Sequence, residues 1–489
     1  MDFLEKQADL TPDRIAIFDL IKLKNWTYKE FNKYIKQVQA WLVEQKLLEG
    51  DRLVCISKNC KEQIALHIAC SRMGAMFVPI NWRLSKPEIY TLLTDCQPKI
   101  ILGDGLLDEL KIDHFDIHQL DDYISCYEDF HYFADPSLPS LILYTSGTTG
   151  KPKGIMHSEE TLRETALNMT DFYNVDINSV FLCDSPMFHV IGLISSIRPA
   201  LYWGGSLVIT DGFQPERTLE LLSSPKYKVT HYFCVPQMAN LLRHLPGYQA
   251  SKLRNLTALL TGGAPHPVAH IHNWLNDGVM ISDGYGMSEI GTIFGMPLDP
   301  EIVREHAGYV GLNTQRLQVR LDIISESCTG ESYGELQFKG KAIYIGIWGD
   351  EAKYKETFTS DGWLKTGDLA SINEAGYYKI VGRLKDMYIS GGENVYPKEI
   401  EEVVLALDEI NECSVFGVQD DTWGEVGCIV YSVSGFETLS ESELKSYLEK
   451  NIAKYKIPKH FINIESLPKS GTGKLNRHSL MDIYKSYIK

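Results

Sequence analysis

YTSGTTGKPKG, residues 144–154, follows the apolar run Leu141-Ile142-Leu143 and packs glycines, threonines, a serine and two lysines into one short segment. Glycines leave backbone N–H groups free to point at an anion, hydroxyls add donors and lysine adds charge, so the chemistry favours phosphate. A Walker loop would need G-x-x-x-x-G-K-[ST]. Here two residues separate Gly147 from Gly150 and Pro152 follows Lys151, so the spacing excludes that loop. The other glycine-lysine segment, SGTGKLNR from Ser470 to Arg477, fails too: Pro468 stands where the first glycine belongs and Leu475 where Ser or Thr belongs. On these residues alone, the first stretch is either a phosphate cradle or a polar turn.

The chain has 489 residues, too many for one compact core, and its 44% apolar content is enough to bury two or three. A formal net charge of −16 repels polyanions, which disfavours nucleic acid and requires a local basic patch for any anionic ligand. Ten cysteines are scattered without a CxxC pair, and a reduced, cytoplasmic setting is the simpler account. The opening residues lack an apolar h-region, and no apolar run reaches bilayer length. Peripheral membrane contact and a homodimer stay open.

From Leu53 to about Val381, β-rich runs such as LVCIS, SLVIT and VTHYFCV alternate with helical stretches such as ETALNMTDFY and MANLLRHL. That alternation predicts layered α/β architecture with largely parallel sheets. The texture changes after GRLKD at Gly382–Asp386. Pro397 can open a helix with Ile400, Val403, Val404 and Leu407 along one face. The strand-like runs NECSVFGV and GCIVYSV follow, and then Ser440 and Glu443 form a capping pattern before Leu444, Tyr447, Leu448 and Ile452. This reads as a small separate α+β domain.

The loop keeps company with SPMFHVIGL, TGGAP, DGYGMSE, DGWLKTGD, GRLKDMYISGGENVYPKEIE and LPKSGTGKLNR, in that order. The ordered set resembles the adenylate-forming (AMP-binding) enzymes, and most closely the acyl-CoA synthetases of the fatty-acid ligase type. The resemblance spans nearly the whole chain. It implies an N-terminal domain over residues 1–384 with the ATP, Mg2+ and acyl sites, and a mobile C-terminal lid over 385–489. It also implies activation of a carboxylate by MgATP to an acyl adenylate, followed by transfer to a thiol.

By motif match, Thr145, Ser146, Gly147, Thr148, Thr149, Gly150 and Lys153 would hold the β- and γ-phosphates. Gly263, Ala264 and Pro265 would wall the adenine site, Tyr285 would stack on the ring, and Asp283 would meet the adenine amino group, with Gly284, Gly286 and Ser288 completing the segment. Glu289, with Thr145, would hold Mg2+, which takes few protein carboxylates and keeps waters. Asp368 and Arg383 would contact ribose or phosphate. Lys474 would neutralise charge as the adenylate forms. Lys385 would be the hinge, and Gly391, Gly392 and Glu393 would line the tunnel for the coenzyme A thiol arm. Basic residues on and beside the lid, including Lys379, Lys398, Lys454, Lys456, Lys459 and Lys469, would supply the patch that ATP and coenzyme A need.

Amino-acid-activating relatives place an aspartate where this chain has His189. A neutral imidazole offers an ammonium no countercharge, so an acid without an α-amino group is expected. Met187, Val190, Ile191, Leu193, Cys234, Val235 and Met287 are the candidate acyl pocket, and a medium- or long-chain fatty acid is the expected substrate. An aryl-CoA ligase of the benzoate or succinylbenzoate type, a ligase loading a carrier protein, and a nucleotide-binding pseudoenzyme are the alternatives.

Overall fold

The computed structural model describes the chain except residues 1, 146–151, 327–331, 391–392, 408, 421, 434–438, 470–474 and 489. It divides into two compact units. The first comprises 1–266, 270–318 and 338–364, and the second 267–269, 319–337 and 365–489.

The first unit is built on two sheets. One runs in the order Gly346–Ile347, Lys153–Ser158, Pro139–Thr145, Met76–Pro79, Arg52–Ile56, Ile100–Gly103, Phe115–Asp116. Its strands from Pro139–Thr145 to Phe115–Asp116 are mutually parallel, and the first two strands of the order join antiparallel. The other has nine strands with a parallel centre: Ile281–Met287, Ala258–Thr261, His231–Cys234, Val180–Cys183, Ser206–Ile209 and Ile15–Asp19. Strands buried on both faces read as continuous apolar runs rather than alternating ones, as LLT, HYFC and SLVI do here. The helix Lys61–Met73 is buried almost all round. Its charged start survives burial because the Lys61 ammonium meets Glu62 at 2.8 Å and Asp121 at 3.0 Å and lies 4.1 Å from the Tyr34 ring centroid. Largely parallel α/β layers are as the sequence predicts.

The second unit includes the strands Leu364–Ile372 and Tyr378–Arg383, which pair antiparallel, and a later sheet in the order Glu393–Val395, Tyr388–Ser390, Gly424–Val433, Ile410–Asp420. His460–Asn463 joins Gly424–Val433 in parallel. Pro397 opens the helix Pro397–Val404, with Ile400 and Val404 inside the core and Leu407 packed just beyond its end. Ser440 and Glu443 form the expected capping box, and Leu444 and Leu448 are buried beneath it. Among the described residues no helix is long and apolar enough to cross a membrane. Among the described residues nine cysteines are free, and all of these but Cys126 are buried.

Tyr388 packs over a pair of glycines, Gly417 and Gly427, which face each other across the ladder. A Cβ on Gly417 would stand 2.4 Å from Tyr388 Cβ, and one on Gly427 would stand 2.4 Å from the Tyr388 hydroxyl and 3.1 Å from Pro458 Cα. The paired glycines make the slot that admits the ring. Gly417→Ala is expected to destabilise the protein by about 1–3 kcal/mol in denaturant titration, the usual range for overpacking; an unchanged midpoint would place the ring elsewhere.

Candidate active site

The candidate phosphate stretch is framed by two paired strands. Pro139–Thr145 and Lys153–Ser158 pair antiparallel with Thr145 opposite Lys153 and Tyr144 opposite Gly154. A Walker loop leads into a helix N-terminus, whereas this segment returns into a strand. Thr145 and Lys153, both half-buried, therefore flank the segment from opposite sides. Ser146, Gly147, Thr148, Thr149 and Gly150 lie outside the described residues.

Asp283 sits in the parallel sheet directly opposite Thr261, whose hydroxyl donates to Asp283 Oδ1 at 2.8 Å. Burial pushes the Asp283 carboxyl up to about 7, against the Thr261 hydrogen bond, which lowers it. The Thr261 oxygen also lies 2.9 Å from His266 Nδ1. The hydroxyl has one proton to give, and burial holds His266 neutral, down to about 3. With that proton on the carboxylate, His266 Nδ1–H donates to Thr261 and Nε2 is left as an acceptor. That Nε2 is buried without a hydrogen-bond partner among the described residues, beside the Gly263–Pro265 segment. An orphaned acceptor and a poised carboxyl fit a ligand that brings N–H donors, as an adenine does.

Gly263, at φ +80°, brings three motifs together: a Cβ there would lie 3.4 Å from Ile191 Cδ1 and 3.9 Å from Val235 Cγ1. The half-buried Tyr285 ring stands 5.9 Å from Phe294. The strand bearing Gly284, Tyr285 and Gly286 turns back through Ser288 and Glu289, and the Glu289 carbonyl accepts from the Tyr344 backbone at 2.7 Å. A hydroxyl at Thr145 and a carboxylate at Glu289 are hard oxygen donors, the type that Mg2+ takes together with phosphate and water. Among the described residues there is no group of three or more His, Cys, Asp or Glu side chains placed to cage a metal.

The candidate acyl segment is fixed by a residue that sequence reasoning missed. Asn59, buried in the loop after strand Arg52–Ile56, donates to the Ser185 carbonyl at 2.8 Å and accepts from the Met187 N–H at 2.9 Å. It therefore spans the turn that leads into Phe188 and His189. The turn then winds into the π-helix Ile191–Ser195, and only a glycine fits at 192, where a Cβ would meet the Pro186 oxygen at 2.2 Å. Met187, Leu193 and Cys234 are closed off in the core. His189, Val190, Ile191, Val235 and Met287 keep accessible surface and are the candidates that can face a ligand. A separate cleft of about 440 Å3, lined by Glu160, Arg163, Lys341, Tyr344 and Phe358 among others, contains none of the expected nucleotide or acyl residues.

In the second unit Asp368 and Arg383 are opposite one another in their ladder, and their side chains meet at 2.6 Å. Asp368 is buried and Arg383 half-exposed, so the aspartate is oriented by the arginine that was expected to share its ligand. Lys385 is exposed in the short turn Leu384–Asp386, and Glu393 is exposed at the start of the strand Glu393–Val395. Gly391, Gly392 and Lys474 lie outside the described residues. The expected basic patch is largely self-neutralised: Lys379 meets Glu402 at 2.8 Å, Lys398 meets Glu401 at 3.6 Å and Lys456 meets Glu399 at 2.5 Å. Lys459 pairs with Asp420 and Lys469 with Glu412. Counting lysines in the sequence could not reveal acids that fold up against them.

The family described as AMP-binding enzyme matches residues 4–348, and the AMP-binding enzyme C-terminal domain matches residues 399–474. A feruloyl-CoA synthase of Amycolatopsis is 31% identical, with 92% of each chain covered. A long-chain-fatty-acid–CoA ligase of Mycobacterium tuberculosis is 28% identical over 99% of this chain and 98% of its own. Among solved structures, ATP-bound MatB from Rhodopseudomonas palustris superposes with a TM-score of 0.90 at 27% identity, covering 100% of this chain and 99% of that one. O-succinylbenzoate coenzyme A synthetase from Bacillus subtilis, in complex with ATP and magnesium ion, gives 0.84 at 26% identity, covering 98% and 99%. The ordered motifs, the paired strands and these matches lead to one conclusion: the chain belongs to the AMP-binding enzymes, as an adenylate-forming ligase of the acyl-CoA synthetase type.

Proposed function

We propose that this acid–thiol ligase activates an apolar carboxylic acid, in the first place a medium- or long-chain fatty acid, and passes it to coenzyme A. ATP, Mg2+ and coenzyme A are its co-reactants. The observation that carries the choice of acid is the pair of half-exposed side chains beside Gly263: Ile191 and Val235, with Val190 next in sequence to Ile191 and Met287 also half-exposed, offer an acyl group apolar surface and no countercharge. His189 in place of an aspartate argues the same way against an α-ammonium. The aryl-acid reading has its own support, since a feruloyl-CoA synthase is among the relatives of higher identity.

Division of labour follows from charge. Thr145 and Lys153 with the segment between them would hold the departing pyrophosphate, Thr145 and Glu289 would hold Mg2+, and Asp283 would accept from the adenine amino group. Magnesium, when bound, supplies positive charge to the phosphate oxygens. Lys474 would neutralise the carboxylate and α-phosphate during the first step. It would then withdraw as the lid turns about Lys385, clearing the way for the thiol past Gly391, Gly392 and Glu393.

Pyrophosphate release and thioester formation measured with octanoate, palmitate, ferulate and benzoate, with coenzyme A or a carrier protein as acceptor, test the assignment. The expected profile favours the fatty acids and coenzyme A; preference for ferulate would transfer the substrate assignment to aryl acids. Lys474→Ala is expected to slow adenylation by about 10²–10³, the cost of one lost preorganised charge donor. Wild-type pyrophosphate release in that variant would remove Lys474 from the chemistry.

Asp283 gives a pH signature. Its folded value near 7 lies above that of an ordinary carboxyl, so the unfolded chain ionises near pH 4 while the native state resists. Its stabilising contribution is complete below about pH 4 and is lost as pH rises through about 7. Asp283→Asn should remove that loss, seen as a gain in melting temperature over the parent that grows from pH 4 to 7. If the ionised carboxylate accepts from adenine, KM for ATP should rise as pH falls below about 7 in the parent and stay flat in Asp283→Asn. Parallel pH profiles for the two proteins would detach Asp283 from adenine.

A further inference from the structure

We infer that His157 is the positioning residue for the Glu289 turn, tying the strand that leaves the phosphate-loop segment to the carboxylate read above as the Mg2+ ligand. The inference rests on that reading of Glu289.

His157 is buried on the strand that begins at Lys153. Its Nε2 lies 2.7 Å from the Ser288 carbonyl, the residue before Glu289. A carbonyl only accepts, so Nε2 carries the proton. Nδ1 lies 3.1 Å from the Thr161 hydroxyl, and burial keeps the ring neutral, down to about 4. Nδ1 is therefore the ring's acceptor, facing a Thr161 hydroxyl that also lies 3.0 Å from the Ser158 carbonyl and shares its one proton between the two. Thr161 in turn belongs to the box with Ser158 that caps the helix Glu159–Tyr173. The Ser288 carbonyl thus fixes the tautomer, and the other ring nitrogen faces the helix cap.

The neighbouring carbonyls are held just as firmly. Glu289 O accepts from Tyr344 N at 2.7 Å, and Ile290 O accepts from Thr165 Oγ1 at 2.9 Å, while Ile290 N closes the turn on Met287 O at 3.1 Å. Three successive carbonyls are each fixed by a donor from a different part of the first unit. Two of the three donors are side chains, and His157 alone sits on the strand that carries Lys153. A carboxylate on such a backbone meets a metal with little reorganisation. Partners of this indirect kind typically set metal affinity by 10–100-fold.

The test uses the full-length protein with Mn2+ as the spectroscopic substitute for Mg2+. Mn2+ affinity of the protein–ATP complex is read by electron paramagnetic resonance, and ATP affinity without metal by calorimetry in chelator. Glu289→Ala should weaken Mn2+ binding strongly. His157→Ala should weaken it by about 10–100-fold, with metal-free ATP affinity unchanged. His157→Gln, whose amide N–H can reach the same carbonyl, should recover most of the loss. If His157→Ala fails to fold, His157→Leu fills the space without a donor and enters the same comparison. Parent-like Mn2+ affinity without a donor at 157, with Glu289→Ala weakened, overturns the positioning role alone. Unchanged affinity in Glu289→Ala overturns the ligand reading and the inference with it.

Discussion

The backbone ladder between Pro139–Thr145 and Lys153–Ser158 turns a parallel sheet back on itself, and the first unit's chemistry is referenced to it. The ladder sets Thr145 opposite Lys153. Its far end delivers Ser158 as the cap of the helix Glu159–Tyr173, and Glu159 at the head of that helix receives both nitrogens of Arg198 at 2.7 and 2.9 Å. Arg198 follows the π-helix Ile191–Ser195. A buried arginine deprived of its carboxylate would be left charged in a poorly polar interior, so the pair acts as a strict spacer. The candidate nucleotide and acyl segments therefore take their positions from the same few residues.

Around that frame the polar groups are tuned by burial rather than by neighbouring charge. Asp283 is raised and His157 and His266 are lowered, each with desolvation as the leading cause. The two histidines act as neutral donors and acceptors of fixed direction, and Asp283 is poised between its two forms.

Much of this was legible in the sequence. The order of the motifs gave the family, apolar periodicity gave the helix from Pro397, and Ser440 with Glu443 gave a helix start that the structure reproduces. What could not be read were contacts between distant segments. Asn59 stands 128 residues from the Met187 N–H it holds, and His157 lies 131 from Ser288. A polar residue just after an apolar strand hints at such a task, but its partner is chosen by topology. The acyl candidates show the converse: motif position nominated Met187, Leu193 and Cys234 together with Val190, Val235 and Met287, and only packing separated the closed from the accessible. Charge was the least legible quantity, because lysine counts are blind to the acids that fold against them.

Those acids give the second unit a property of its own. With Lys379, Lys398, Lys456, Lys459 and Lys469 each matched to a carboxylate, the domain carries its counterions within itself. A phosphate that engages one of these lysines competes with an internal anion instead of meeting a bare cation. Polyanion capture there becomes an ion exchange, governed by which acid is the easier to dislodge, and the empty domain is spared the mutual repulsion of unscreened lysines.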